Sequence, residues 1–178
     1  MRYQVSRQSG FTLIELIIVI IMLGVLSVTA LPRFVNLSSE ANAAVINTLA
    51  GALKSTANIA HTKAIIAKRN GGFNNGFDFD GVYFDKGYPL ALSFGDSDGI
   101  PEIMELMTFG ADDFTWADNF NGQSASGDLT REIYITVRSK INQGVGHNEV
   151  VATACYVSYE TFVDVYKPPE IIVDVSGC

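Results

Sequence analysis

Apolar residues are spread unevenly along this chain, in three successive patterns. Residues 11–31 read FTLIELIIVIIMLGVLSVTAL, apolar on every side of a helix, with Glu15 as the one ionisable side chain. About 20 apolar residues in helical form match a bilayer core of roughly 30 Å. Past Pro32 the pattern becomes one-sided. Phe34, Leu37, Ala41, Val45, Leu49, Leu53, Ala57, Ala60 and Ala64 recur at three- and four-residue spacing, while Asn36, Ser39, Glu40, Asn47, Lys54, Ser55 and Lys63 mostly keep off that stripe. Lys68 and Arg69 suit a last helical turn before Asn70-Gly71-Gly72. Residues 11–69 are therefore expected to form one long helix, with Pro32 removing a backbone donor and loosening the preceding turn.

The third pattern is that of a mixed head. Residues 71–128 are rich in Gly, Asn, Asp and aromatic residues and read as an irregular region with one short helix around residues 102–107. From Arg131 onward, Ile133, Ile135 and Val137 alternate with Glu132, Tyr134, Thr136 and Arg138, the period of a half-buried strand. VVATACYVSY, FVDVY and IIVDV follow as further strands, and Pro168-Pro169 should end one strand and start the next. The expected fold class is α+β, a long N-terminal helix packed on an antiparallel sheet of about four strands. The expected division is a leader at 1–10, a helix at 11–69 with 11–31 as its membrane half, and a globular head at 70–178.

Composition sharpens this picture. The chain has 178 residues, 48% of them hydrophobic and only 17% charged, which excludes a disordered chain and supports one domain plus an appendage. A net charge of −7 argues against nucleic-acid binding, which needs a basic face. A mean hydropathy of +0.22 is high for so acidic a protein, and residues 11–31 account for most of the excess.

Glu15 is the informative residue in that run. A carboxylate inside an apolar helix costs on the order of 2.5–3.5 kcal/mol on insertion scales, so its presence implies a role. The preceding residues MRYQVSRQSG carry Arg2 and Arg7 and no acid, placing the N-terminus in the cytoplasm and the bulk of the chain outside. A signal peptide cleaved near Val28-Thr29-Ala30 or a passive anchor would have no use for the acid. Cleavage between Gly10 and Phe11 would instead give Phe11 a charged amine one helical turn from Glu15, on the same chain or a packed neighbour.

Arg7-Gln8-Ser9-Gly10-Phe11-Thr12-Leu13-Ile14-Glu15 resembles the leader junction of bacterial type IV prepilins and pseudopilins. The resemblance implies a prepilin peptidase that cuts after Gly10 and N-methylates Phe11. It implies assembly roles for Glu15, Gly24 and Pro32, and a homo-oligomeric helical filament built by inner-membrane machinery. Inner-membrane lipid would cover the apolar helix before assembly, and the finished filament would be extracellular.

Cys155 and Cys178 allow a single internal pairing, expected in an oxidising extracytoplasmic setting; two free thiols are the alternative. Such a disulfide-closed C-terminus resembles that of type IVa pilins. Gly51-Ala52-Leu53-Lys54, Gly87-Tyr88-Pro89, Asp113-Phe114-Thr115-Trp116, Cys155-Tyr156-Val157 and Gly177-Cys178 are similar to the mannose-sensitive haemagglutinin group. That likeness implies a major pilin serving attachment to host or abiotic surfaces. A minor pilin or a type II secretion pseudopilin is the alternative, and a signal-anchored periplasmic binding protein or enzyme is a third.

Catalytic chemistry finds little footing. His61 falls in the helical pattern and His147 in a glycine-rich loop, neither with ligand-like spacing to other donors. No phosphate-binding glycine motif or nucleophile elbow occurs. No cofactor is expected, with one reservation: Asp96, Asp98 and Glu102 space their oxygens as calcium loops do, and Asp78, Asp80 and Asp85 form a second acidic cluster, although turn chemistry explains Asp-Gly pairs without an ion. Phe73, Phe77, Phe79 and Trp116 are expected in the core or at subunit contacts rather than on sugars.

Overall fold

The computed structural model describes residues 11–68, 77–79, 81–94, 99–108, 110–163 and 165–178, without the side chains of residues 29–36, 77–79 and 111. The chain divides into two compact units, residues 1–38 and 39–178. Helix α1 (Leu13–Ile66) contributes to both. It ends at Ile66, ahead of the expected residue 69, and Ala67 and Lys68 form a turn. The α+β class stands: a long N-terminal helix is followed by a four-stranded antiparallel sheet.

In the first unit, the described side chains of residues 13–28 are exposed on every side of α1. In the second unit one stripe is buried. Ile46, Leu49, Leu53, Ala57, Ala60 and Ala64 face the head. Val45, placed on the stripe by the sequence pattern, is 41% exposed, and Ile46 takes its place. Steps of four residues drift about 40° per step around a 3.6-residue helix, so a run of them leaves a straight stripe. The buried set returns with three-residue steps at 46–49 and 57–60.

The head holds two sheets. A small one pairs β1 (Phe77–Phe79), β2 (Val82–Asp85) and β3 (Tyr88–Pro89) in that order, all antiparallel. The larger one orders β4 (Phe114–Gln123), β5 (Leu129–Val137), β6 (Tyr156–Phe162) and β7 (Glu170–Asp174) as an antiparallel meander. Helices α2 (Glu102–Glu105) and α3 (His147–Ala152) are short.

This assignment corrects the sequence reading in three places. Residues 71–128 are not wholly irregular, because they supply the small sheet and the whole of β4. Strand β4 pairs with β5 from Phe114↔Val137 to Gln123↔Leu129, with a register shift between Asn119 and Gly122. Its polar sequence looks like a loop, yet Phe114 and Trp116 still alternate onto the core. Next, the VVATAC segment does not begin as a strand. The Gly146 N–H donates to the Glu149 carboxylate, closing the first turn of α3 through Val150 and Val151. Finally, FVDVY is not a separate strand: Phe162 ends β6, and the chain crosses to β7.

Ile133 and Ile135 on β5 and Val157 and Tyr159 on β6 meet Ile46, Leu49 and Leu53 of α1 in the main core. Ala60 and Ala64 form a second cluster with Val82 and Phe84 of the small sheet. The buried Tyr159 hydroxyl donates to the Pro89 carbonyl at 2.9 Å, joining the two sheets. The β5 residues that alternate away from the core are not simply solvated either. Thr136 is fully buried and Glu132 nearly so, and α3 packs near β4 and β5.

Candidate assembly site and disulfide-closed terminus

The start of α1 is built around one residue pair. The Thr12 backbone N–H donates to Glu15 Oε2 at 2.9 Å, and the Thr12 hydroxyl donates to the same oxygen at 2.7 Å. The Glu15 N–H returns a bond to Thr12 Oγ1 at 3.3 Å. This is the reciprocal Thr-x-x-Glu capping box, which satisfies helix donors that have no partner within the helix. The sequence reading gave Glu15 a partner at Phe11 and overlooked Thr12. The motif is legible at residues 12–15, but its polar purpose was masked by the apolar run around it.

Phe11 is 82% exposed immediately before the helix. Gly10 lies outside the described residues, as does the Pro32 side chain. Gly24 stands on an open helix surface where an added Cβ would meet nothing within 4 Å. Within one chain, then, no close approach requires a glycine there. Among the described residues, no helix is long and apolar enough to cross a membrane. Residues 29–31 of the expected span fall among the side chains not described.

At the other end of the protein, Cys155 and Cys178 are joined, with Cα atoms 4.7 Å apart across a sequence separation of 23. Cys155 sits just before β6 rather than within a strand. The Gly177 N–H donates to the Ala154 carbonyl at 2.7 Å, and Lys140 Nζ donates to the Gly177 carbonyl at 2.7 Å. Both Cys155 and Cys178 are buried against the main core.

The remaining candidates are dispersed. Asp96, Asp98, Asp80 and Phe73 lie outside the described residues, and so do the side chains of Phe77, Asp78 and Phe79. Glu102 is buried rather than turned to solvent. It is 1% exposed, and its carboxylate accepts from the backbone N–H of Tyr83 at 2.7 Å and of Phe94 at 2.9 Å. Asp85 is buried on β2. Among the described residues no group of three or more His, Cys, Asp or Glu side chains is arranged to hold a metal ion. His61 stacks on Tyr88 with ring centroids 4.0 Å apart and sets Nδ1 at 3.0 Å from the Gly87 carbonyl. His147 stacks on Tyr134, and Trp116 Nε1–H donates to the Gly99 carbonyl. These aromatic groups hold the fold together.

Residues 5–31 match the family model of the prokaryotic N-terminal methylation motif. The type IV narrow pilus major component PilA5 of Thermus thermophilus is 41% identical over 78 residues, covering 39% of this chain and 67% of that protein. No solved structure matches the chain. A methylation motif at residues 5–31, a capped helix whose apolar side chains stand exposed, and this relative together show that the chain belongs to the type IV pilins, the structural subunits of pili.

Proposed function

We propose that this chain is the major subunit of a type IVa pilus of the mannose-sensitive haemagglutinin kind. A prepilin peptidase removes residues 1–10 and methylates Phe11, and the inner membrane holds residues 11–31 with the head in the periplasm. Assembly machinery in that membrane then passes the subunit into the filament. Glu15 meets the Phe11 amine of a neighbouring copy, Gly24 and Pro32 adapt the helix to its neighbours, and the heads form the outer surface that attaches to host or abiotic surfaces.

The observation that carries this reading is the exposure of residues 13–28 around a helix that begins at a carboxylate. Aliphatic side chains in such number demand cover, and lipid followed by other copies supplies it in turn. A contact of one copy's helix on a different face of the next does not close on itself, so it propagates as a filament. The disulfide-closed terminus favours a pilin over a secretion pseudopilin. The relative described as a major component favours the major subunit over a minor one.

The test is mass analysis of filaments sheared from cells, paired with negative-stain microscopy. The expected result is an abundant subunit starting at Phe11 and heavier by one methyl group. Filaments lacking this chain, or containing it with residues 1–10 attached, would overturn the proposal. A trace amount would assign it as a minor pilin.

A further inference from the structure

Glu132, Glu160 and Glu170 stand directly opposite one another on β5, β6 and β7, in the registers Glu132↔Glu160 and Glu160↔Glu170. They therefore share one face of the sheet, while their chain neighbours Ile133 and Tyr159 point into the main core on the other. Directly opposed side chains have Cβ atoms roughly 5 Å apart, and like charges so placed repel. Glu132 is 3% exposed and Glu160 is 4% exposed, so water screens them little.

Hydrogen bonding distinguishes the two buried acids. Glu132 accepts from Asn119 Nδ2 at 2.9 Å, from the Tyr134 hydroxyl at 2.8 Å and from the Thr130 hydroxyl. Three donors suit the acceptor-only carboxylate form. The acid is also seated over Gly122, where any Cβ would run into its carboxylate. Glu160 is given the Ser158 hydroxyl, at 3.0 Å. The titratable groups around it are Glu132 and Tyr134 of β5, Tyr156 of its own strand and Glu170 of β7, with Asp174 acting on Tyr156. Strand β4 contributes the neutral Asn119 to the row. Helix α3 contributes His147, stacked on Tyr134 with centroids 5.9 Å apart.

We propose that Glu160 is a proton-holding residue of the head: it keeps its carboxyl proton in the folded sheet, and loss of that proton places three negative charges in a row and loosens β6 from its neighbours. Burial pushes the Glu160 carboxyl up, and the Glu132 and Glu170 charges add to the push against the Ser158 hydroxyl. The unfolded chain releases this proton in the ordinary glutamate range. Stability is therefore lost as pH rises from that range through the raised folded value, and the loss is complete above it. Cys155 precedes β6 and Cys178 follows β7, so the loosened strands stay tethered and can pair again when the proton returns.

The experiment uses the full chain in detergent micelles. Difference infrared spectroscopy across a pH titration should show a protonated-carboxyl band that persists above the ordinary glutamate range. That band should be absent in E160Q, and the fall of the melting temperature with rising pH should flatten in the same variant. Substituting the exposed Glu170 with Gln, which leaves the buried pair intact, should move the titration downward. A wild-type band that titrates in the ordinary range would overturn the proposal, whether or not E160Q folds. So would an E160Q protein with the wild-type pH slope, or an E170Q midpoint that does not move.

Discussion

The Thr12 hydroxyl and the Glu15 carboxylate lie 2.7 Å apart, and each residue also bonds to the other's backbone N–H. One carboxylate thus caps its own helix and is also the charge proposed to select a neighbour. The two roles separate by substitution. Glu15→Gln keeps an oxygen that can close the capping box but removes the charge. It should be processed normally, retain helix content and yield no sheared filaments. Thr12→Ala removes the cap, at about 1 kcal/mol of helix stability, and keeps the charge. It should assemble at reduced yield. Leader removal is read from the N-terminal mass and assembly from filament yield. Wild-type filament yield from Glu15→Gln would remove the charge from the assembly mechanism.

The disulfide-closed terminus depends on a glycine next to it. A Cβ at Gly177 would lie 2.3 Å from the Thr153 carbonyl oxygen and 3.0 Å from the Ala154 Cβ. The backbone on both sides is held, by the Cys155–Cys178 bond and by the Gly177 N–H to Ala154 carbonyl bond, so relief by movement is restricted. Gly177→Ala should therefore destabilise the head by about 1–3 kcal/mol. Ala154 is a non-glycine residue at φ 49°, and Ala154→Gly should relieve part of that strain. Reduction of the disulfide should remove about 3 kcal/mol on the chain-entropy account. Urea unfolding of the full chain in detergent, with and without reductant, measures all three.

The parts of the fold that sequence patterns made legible are those with a long, single period. From Leu49 to Ala64 the helical stripe buries where the pattern put it, as does the Ile133, Ile135 and Val137 alternation, whereas Leu37, Ala41 and Val45 stand exposed and Ile46 is buried instead. The methylation motif at the N-terminus was legible because its residues are contiguous. What escaped depends on partners distant in sequence. Strand β4 is recognisable only beside β5, since Asp118, Asn119 and Asn121 carry no strand preference of their own. The buried row of Glu132, Glu160 and Glu170 exists only through register. Spacing within a loop likewise cannot show that Tyr83 and Phe94 turn their amides toward Glu102.

Asp128 and Lys167 contribute to the other pH limb of stability. Asp128 Oδ2 accepts from Lys167 Nζ at 2.5 Å and from the Ser126 hydroxyl at 2.6 Å, tying the β4–β5 hairpin to the β6–β7 connection. The Lys167 bond, followed by the Ser126 bond, holds the Asp128 carboxyl below the usual aspartate range. A lowered folded value means the contribution is present above the unfolded pKa and is lost as pH falls through the folded one. Asp128→Asn should flatten the acid side of a melting-temperature profile and leave the Glu160-dependent side unchanged. The pair is partly exposed, so added salt should reduce the difference between variant and wild type.

Glu102 supplies the sharpest choice between a structural acid and an ion ligand. Its side chain is buried at the start of α2, with one oxygen on the Tyr83 amide and the other on the Phe94 amide. Hydrogen bonds to a charged partner are among the stronger ones, and deleting that partner takes the acceptor from two part-buried backbone donors. Glu102→Ala should therefore destabilise the head by about 2–4 kcal/mol. Because the carboxylate serves amides rather than a cation, the same loss should appear in calcium and in chelator. The measurement is denaturant unfolding of both proteins under the two conditions. A wild-type protein that falls to the variant's stability when calcium is removed would make Glu102 a cation ligand instead.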